Sequence, residues 1–339
     1  MARVFGLNDA AVRPGAFLPG AFRPIAPSGS RVMGHRYDRD RGSIETNFAR
    51  LAPLELHGFA AERLDDEPDA LTARTLLGSF SMSRRLGLID LKVVAFAIER
   101  WRESGGETAS DAVTFTLYKL GQAIYGHAPS GEERRLLKES IRRLFKVEIN
   151  AYGADARRVD RPVRMIARDG RVFTQQETLW DDAPTRGQVA ARRGDSYRVW
   201  LGPWLVDQLR AGNVTYLHFP TMRGLAGLAL RLWVFLQAEP FVVDDDGATE
   251  CIAAAPELGD ELYATLGMNF ARPTDARKAL RYAARRIQAV DHRYAEIRPV
   301  PPPPKDERED DDAWRLYAVR AARPVEAVPA PAVQEVLAI

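Results

Sequence analysis

Cysteine and histidine are scarce in this sequence. Cys251 is the single cysteine among 339 residues, which excludes a disulfide framework, an iron–sulfur cluster and a zinc site built from several cysteines. The five histidines are at least 22 residues apart, so no helix carries the paired histidines of a metalloprotease or of a two-histidine nicking enzyme. No histidine has an arginine three residues later, as a tyrosine recombinase requires. We therefore expect no metal site and no cofactor, and we interpret Cys251 as an inert buried thiol.

The motifs of nucleotide-dependent and nucleophilic enzymes are also missing. Neither a G-x-x-x-x-G-K-[ST] phosphate loop nor a G-x-S-x-G nucleophile elbow occurs. Arg231 interrupts the best candidate for a membrane span, residues 225–236, which falls short of the roughly 18 apolar residues required. The first residues have no signal-peptide hydrophobic region. We expect a protein without catalytic residues, located in a reducing cytoplasm and without a membrane partner.

The composition is that of a globular protein with a sizeable core. Hydrophobic residues make up 46% of the chain and charged residues 28%, and the length allows two or three domains. Lys and Arg number 48 against 46 Asp and Glu, for a net charge of +2. The overall charge therefore gives no argument for binding nucleic acid, and its distribution has to be considered instead.

Spacing and turn residues divide the chain into four parts. Glycine, proline and alanine recur without a sustained period before order begins near Asp69, which predicts a mostly irregular N-terminal arm. Two segments follow in which helices precede strands, and a short tail ends the chain. The predicted parts are an arm (1–68), a first domain (69–202), a second domain (203–322) and a C-terminal tail (323–339).

Two basic helices are predicted at corresponding places in these domains. Ser130-Gly131-Glu132-Glu133 is a capping box that opens a helix to about Phe145, and Pro273-Thr274-Asp275 opens another, with Thr274 as its N-cap. Apolar residues recur at helical spacing on one face of each, and arginines occupy the other faces. After the first helix, Asp169-Gly170 predicts a two-residue hairpin turn between 163–167 and 171–176. In the second domain a helix over 223–236 and one over 258–266 precede the basic helix.

The two basic helices align at a shift of 143 residues. Leu137 corresponds to Leu280, and Arg142-Arg143-Leu144 corresponds to Arg285-Arg286-Ile287. The same order of helices and strands surrounds both copies. We therefore predict an α+β fold with two tandem winged-helix domains.

Positive charge is concentrated in these copies. Residues 130–171 and 272–298 each carry a net charge of +5, which leaves −8 for the rest of the chain. Such clustering is typical of a protein that binds duplex DNA, although a basic helix face can simply be solvated. In a duplex complex, each basic helix would enter a major groove, and wing residues Arg161, Arg164 and Arg171 would contact phosphates. The candidate DNA-binding residues are Arg134, Arg135, Lys138, Arg142, Arg143, Arg161, Arg164, Arg171, Arg277, Lys278, Arg281, Arg285 and Arg286.

Three tryptophans and an acidic segment allow other interpretations. Trp101 and Trp233 lie on inward helical stripes and are expected in the core rather than stacked on single-stranded bases. The position of Trp314, just before a strand, leaves both roles open. The acidic residues 306–312 are interpreted as a solvated wing tip rather than a mimic of nucleic acid.

The sequence resembles plasmid replication initiator proteins of the tandem winged-helix class, the TrfA-like and "replication initiator protein A" group. The resemblance is one of pattern and covers about residues 70–320, whereas residues 1–68 match nothing in that group. It is carried by the segments 115–118, 131–145, 147–152, 197–202, 225–236 and 272–287.

This resemblance implies an initiator that binds direct repeats, or iterons, of double-stranded DNA in a plasmid origin and helps to open an adjacent AT-rich segment. It also implies recruitment of the host initiator and the replicative helicase, and a homodimer that acts as autorepressor. A winged-helix transcriptional regulator without a role in replication is the alternative. An enzyme acting on DNA is disfavoured by the histidine spacing.

The two basic helices are not expected to contribute equally. Arg285 and Arg286 share their helix with small residues (Ala279, Ala283, Ala284) that would allow close approach to a groove. The first helix carries glutamates, whose charges oppose phosphate. We therefore expect the second helix to provide more of the affinity, and part of the first helix to lie in a protein interface.

Overall fold

The computed structural model describes residues 40–51, 54–55, 71–75, 78–83, 85–106, 111–153, 164–179, 196–244, 247–302 and 313–321. The helices are α1 (Thr46–Leu51), α2 (Leu88–Glu103), α3 (Leu117–Tyr125), α4 (Gly131–Lys146), α5 (Pro203–Arg210), α6 (Phe219–Gly224), α7 (Gly227–Ala238), α8 (Asp260–Thr265) and α9 (Pro273–Val290). The strands are β1 (Arg41–Glu45), β2 (Leu54–Glu55), β3 (Leu71–Thr75), β4 (Gly78–Met82), β5 (Leu86–Gly87), β6 (Ala112–Thr116), β7 (Glu148–Gly153), β8 (Arg164–Arg171), β9 (Phe173–Leu179), β10 (Ser196–Leu201), β11 (Val214–His218), β12 (Phe241–Val243), β13 (Thr249–Ile252), β14 (Tyr294–Val300) and β15 (Arg315–Ala321).

The first winged helix comprises α2, β6, α3 and α4, followed by β9 and β10. Strand β10 lies between β6 and β9 and is antiparallel to both, with Tyr197 opposite Phe115 and Thr178. The capping box predicted at Ser130 opens α4: Ser130 Oγ accepts from the Glu133 amide (3.3 Å), and Glu133 Oε2 accepts from the Ser130 amide (2.7 Å). Helix α4 packs on α2, which places it as the third helix of the unit.

The second winged helix repeats this order with α7, β13, α8 and α9, followed by β14 and β15. Strand β15 lies between β13 and β14, with Tyr317 opposite Arg298, and β12 extends the sheet beyond β13. Helix α9 packs on α7 as α4 packs on α2. The predicted α+β fold with two tandem winged-helix units is therefore confirmed by the element order and the strand order.

The predicted hairpin turn at Asp169-Gly170 is wrong. Strand β8 continues through both residues and pairs with β7, and Gly170 lies opposite Ile149. The register between β7 and β8 shifts next to this pair, from Ile149 opposite Gly170 to Ala151 opposite Ala167. The extra residue is on β8, so the dipeptide lies at a β-bulge, which glycine tolerates as readily as it does a turn.

Strands β7 and β8 also distinguish the two units. They join β3 and β4 in a separate four-stranded antiparallel sheet, in the order β3-β4-β7-β8. The wing strands of the first unit are therefore β9 and β10, whereas in the second unit α9 leads directly into wing strand β14.

Residues 40–51 form regular structure, so the predicted irregular arm is wrong for this part. Strand β1 pairs antiparallel with β11 along its whole length and packs on α2, and Ile44 of β1 is fully buried. Helix α1 packs on α7, where Phe48 is buried. The sequence signal failed because each element is too short to show a period. Residues 1–39 and the predicted tail (323–339) lie outside the described residues.

Two helix boundaries in the second unit also differ from prediction. The helix expected over 223–236 is interrupted at Leu225 and Ala226, which are extended, so that α6 and α7 are separate. Gly227 adopts a positive φ of 51°, a conformation that favours glycine at the start of α7. Helix α9 begins at Pro273 with Arg272, not Thr274, as its N-cap, since proline fits the first helical position.

One hydrophobic core extends through both units. All described residues belong to a single compact unit, Tyr37–Ile339, and their buried apolar side chains form one cluster. Trp101 and Trp233 are both completely buried, which confirms the prediction that they pack in the core. The boundary proposed between residues 202 and 203 falls between β10 and α5 and stays a prediction.

Candidate nucleic-acid interface

Helix α9 presents a cationic face to solvent. Leu280, Ala284 and Ile287 are buried against α7 and β14, as the helical period predicts. Residues on the opposite side are exposed, and four of them are basic and lie within the candidate set. These four are Lys278, Arg281, Arg285 and Arg286.

These cations are poorly neutralised. Lys278 Nζ lies 4.0 Å from Asp275 Oδ1, at the limit of an ion pair. Within the described part of the chain, no carboxylate forms an ion pair with Arg281, Arg285 or Arg286. Among the described residues, the three arginines of this face are therefore not neutralised by carboxylates and are available to an external anion.

Arg277 lies at the margin of this face and has a different environment. It is half-buried, and its guanidinium carbon lies 4.4 Å from the centre of the Trp314 ring. Because the Arg277 cation covers one face of the Trp314 ring, that face is not available for stacking on a base. Arg277 therefore contacts Trp314, just before β15, rather than projecting freely.

A groove of about 650 Å³ separates α9 from the first wing strand, β14. Arg281 and Arg285 line it from the helix, and Arg298 and Glu296 line it from the strand. Arg298 Nε lies 2.6 Å from Glu296 Oε1, and more than half of the Arg298 side chain is exposed. Gln288 and Ala295 also line the groove, and Gln288 donates from Nε2 to the Ala295 carbonyl (2.8 Å).

The corresponding face of α4 is largely neutralised. Arg135 forms ion pairs with Glu132 and Glu139 on the same helix, with 2.9 Å between Arg135 Nε and Glu132 Oε2. Arg134 donates from Nε to the Pro129 carbonyl (3.1 Å) and is half-buried. Lys138 and Arg142 are exposed. The two helices are therefore equivalent in fold but not in available charge.

Arg143 is not an outward-facing residue, so its assignment to the basic face is wrong. Only 8% of the residue is exposed, and its guanidinium holds the carboxylate of Asp90, a completely buried residue at the start of α2. Arg143 Nη2 donates to Asp90 Oδ1 (2.9 Å), and Nε lies 3.2 and 3.1 Å from the two carboxylate oxygens. Burial raises the pKa of Asp90, and the charge of Arg143 opposes this rise. The shift-of-143 alignment could not distinguish this arginine from Arg286.

The predicted wing contacts of the first unit are also revised. Arg164 and Arg171 lie on β8, which belongs to the four-stranded sheet and not to the wing. Arg171 is exposed and pairs with Glu148 across β7 and β8 (2.8 Å). Arg161 lies outside the described residues, as does the acidic segment 306–312.

Two exposed residues beside the predicted set were not singled out from the sequence. Tyr282 is 68% exposed on α9, and Arg298 lies on β14. The helical period does place Tyr282 opposite Leu280 and Ile287, so the signal was present. The expectation that small residues of α9 allow close approach to a groove is wrong for Ala283 and Ala284, because both are buried in the core.

The described residues show no arrangement suited to metal binding. Among them, no group of three histidine, cysteine or acidic side chains could hold an ion. Cys251 is half-buried rather than buried, with Sγ 3.6 Å from the Tyr317 hydroxyl. Of the helices in the described ranges, none combines the length and apolar character needed to cross a bilayer.

Several solved structures have a similar arrangement, whereas no protein-family model and no curated protein matches the sequence. A selenomethionine derivative of RctB domains 2 and 3 shares 13% identity at a TM-score of 0.48, over 82% of this chain and 99% of the other. A second structure of these RctB domains shares 12% identity at a TM-score of 0.43, over 82% and 97%. The Pi initiator protein in complex with iteron DNA shares 10% identity at a TM-score of 0.42, over 76% and 99%.

Proposed function

We propose that the protein binds specific sequences of double-stranded DNA through α9 and acts as a plasmid replication initiator at direct repeats of an origin. The observation that carries this proposal is the exposed face of α9, on the third helix of a winged-helix unit. Three arginines of this face have no ion pair with any of the described residues. The resemblance of the sequence to replication initiators supports the biological role.

The dimensions of this face suit a major groove. An α-helix with its side chains is about 10–12 Å in diameter, and the cations from Lys278 to Arg286 extend about 12 Å along its axis. The major groove of B-DNA is about 12 Å wide and admits one helix. Arginines on the inserted face can donate two hydrogen bonds to guanine O6 and N7, and Arg298 on the wing strand is placed to contact a phosphate.

Helix α4 has a secondary part in this proposal. Lys138 and Arg142 supply exposed charge, but Arg135 is bound by two glutamates and Arg143 is used in the core. We infer that α4 contributes phosphate contacts or a protein interface and less of the specificity. Opening of an AT-rich segment, recruitment of the host initiator and helicase, and autorepression by a dimer are proposed on the family resemblance alone.

We further propose that the protein is not an enzyme. The absence of phosphate-loop and paired-histidine motifs supports this view. Purified protein incubated with supercoiled origin plasmid and magnesium should leave the plasmid uncut and should not hydrolyse ATP. A metal-dependent nick that disappears on substitution of one tyrosine would overturn the proposal.

Footprinting on the DNA upstream of the gene, with a salt titration, tests the binding function. We expect protection of several direct repeats of roughly 20 base pairs, two helical turns apart. The slope of log K against log[salt] should have a magnitude of about 5 or more, since several phosphates are neutralised. Equal affinity for unrelated duplex, or stronger binding to single strands, would contradict it. A single protected site at a promoter would favour the regulator instead.

A further inference from the structure

Tyr282 has the most exposed large side chain with hydrophobic character among the described residues. Its exposed fraction is 68%, compared with 58% for Val242. It lies in the middle of the cationic face of α9, with Lys278 one turn before it and Arg286 one turn after it. This is an aromatic ring surrounded by cations on the surface proposed to enter DNA.

Neither the core nor a local contact accounts for this residue. The buried side of α9 is supplied by Leu280, Ala283 and Ile287. Within the described ranges, the Tyr282 hydroxyl has no hydrogen-bond partner and its ring has no aromatic or cationic partner. Exposed aromatic surface of this kind releases free energy when a partner covers it, which is why tyrosine is frequent at binding hot spots.

The equivalent position in the first unit carries a carboxylate. The shift of 143 residues that aligns Leu137 with Leu280 places Glu139 opposite Tyr282. Glu139 is bound to Arg135 on its own helix and would repel phosphate. The aromatic ring is therefore specific to α9 and does not follow from the shared winged-helix fold.

The chemistry of the major groove identifies what the ring can contact. Arginine and lysine at the edges of the face are suited to phosphates, which are anionic, and to guanine, whose O6 and N7 accept hydrogen bonds. The C5-methyl group of thymine is the apolar group that a base presents in this groove. The half-buried Ala279, one turn before Tyr282, leaves the ring unobstructed on that side.

We propose that Tyr282 is a specificity-determining residue that packs its ring against a thymine methyl group in the major groove. This inference rests on the proposed function, because it requires α9 to bind duplex DNA. The aromatic ring then adds discrimination at thymine to the phosphate and guanine contacts of the surrounding cations.

The test uses the full chain and a duplex that the wild-type protein enriches from a random-sequence library. Affinities are measured at one salt concentration for the wild type, Y282A, Y282F and the matched control E139A. Tyr282→Ala should weaken binding to the enriched duplex about 10-fold, or about 1.4 kcal/mol. Its affinity for unrelated duplex and its salt slope should not change, because no phosphate contact is lost. Y282F should bind within about twofold of the wild type, and E139A should leave discrimination unchanged.

Replacing each thymine of that duplex by deoxyuridine removes one methyl group at a time. At one position this change should weaken wild-type binding about as much as Y282A does, and should have no further effect on Y282A. Equal weakening on both duplexes, a loss in Y282F as large as in Y282A, or no coupled thymine would overturn the proposal. If the wild type enriches no sequence, the proposed function fails as well. If binding depends on Arg285 but not on Tyr282, only the present inference fails.

Discussion

Arg143 and Arg286 occupy equivalent positions in α4 and α9, yet Arg143 is buried against Asp90 whereas Arg286 is exposed to solvent. Both arginines lie on the third helix of a winged-helix unit, so the difference arises from α2, the helix that packs against α4. Asp90 near the start of α2 provides a buried carboxylate that requires a cation. One arginine of the first unit is therefore needed for stability and is unavailable for binding.

Arg143→Ala should destabilise the protein by about 3–5 kcal/mol, because it leaves the Asp90 carboxylate buried without its cation. Urea denaturation measures this loss. Arg286→Ala is the matched control and should change the free energy of unfolding by no more than about 0.5 kcal/mol, as is usual for a solvated side chain. An R143A variant as stable as the wild type would show that Asp90 and Arg143 are not partners in solution.

Asp291 should make stability depend on pH in the acid range. Burial acts to raise the pKa of Asp291, but hydrogen bonds from Arg293 and Trp233 outweigh it, so the pKa lies below its ordinary value of 3.8. A lowered pKa in the folded state gives stability that is present above pH 3.8 and is lost as the pH falls through the folded-state pKa.

Asp291→Asn should therefore lower stability at pH 7 by about 1.5–3 kcal/mol, the usual value for hydrogen bonds to a charged group. It should also flatten the fall in stability below about pH 4, which denaturation at several pH values would show. Trp233→Phe, which removes one donor at a distance of 2.8 Å, should reduce the acid-dependent component only in part. An unchanged pH profile in D291N would contradict the assignment.

Arg231 should be essential for attaching residues 40–51 to the second unit. Its buried guanidinium donates to the carbonyls of Ala49 (2.6 Å) and Thr265 (3.0 Å), at the ends of α1 and α8. Burial lowers the pKa of Arg231 to about 9, which still leaves it protonated at pH 7. It is thus a cation placed where helix dipoles are negative.

Arg231→Met keeps the volume of the side chain but leaves these carbonyls without a donor, and it should cost about 2–4 kcal/mol. Thermal or urea unfolding measures the loss. Arg210→Met is the control, since Arg210 is exposed and pairs with Asp111 at the surface, and its substitution should cost at most about 1 kcal/mol. Equal effects of the two substitutions would refute a special role for Arg231.

Most of the helices could be predicted from the sequence, because the capping residues and the apolar period of a long helix lie within the helix itself. The capping box at Ser130 and the apolar period through Leu280 and Ile287 each report on one element without reference to the rest of the fold. The same holds for the outward direction of Arg285. These features lie within about four turns of a single helix.

What the sequence could not predict depends on contacts between distant segments. Strand β1 is recognisable only through its partner β11, and the direction of Arg143 only through Asp90, which is 53 residues away. The Asp169-Gly170 turn signal was overridden by pairing of β8 with β7. In each case a local propensity was outweighed by tertiary pairing.

The affinity of two matched arginine variants tests most directly the claim that α9 is the DNA-reading helix. Arg285 and Arg142 are equivalent and both exposed, so Arg285→Ala and Arg142→Ala are compared by gel shift on one enriched duplex at one salt concentration, with circular dichroism to confirm folding. Arg285→Ala should cost about 1–3 kcal/mol, the double variant R285A/R286A about 2–5 kcal/mol, and Arg142→Ala less than either. Equal or reversed losses would contradict the difference between the helices, and no loss in any variant would contradict DNA binding by α9.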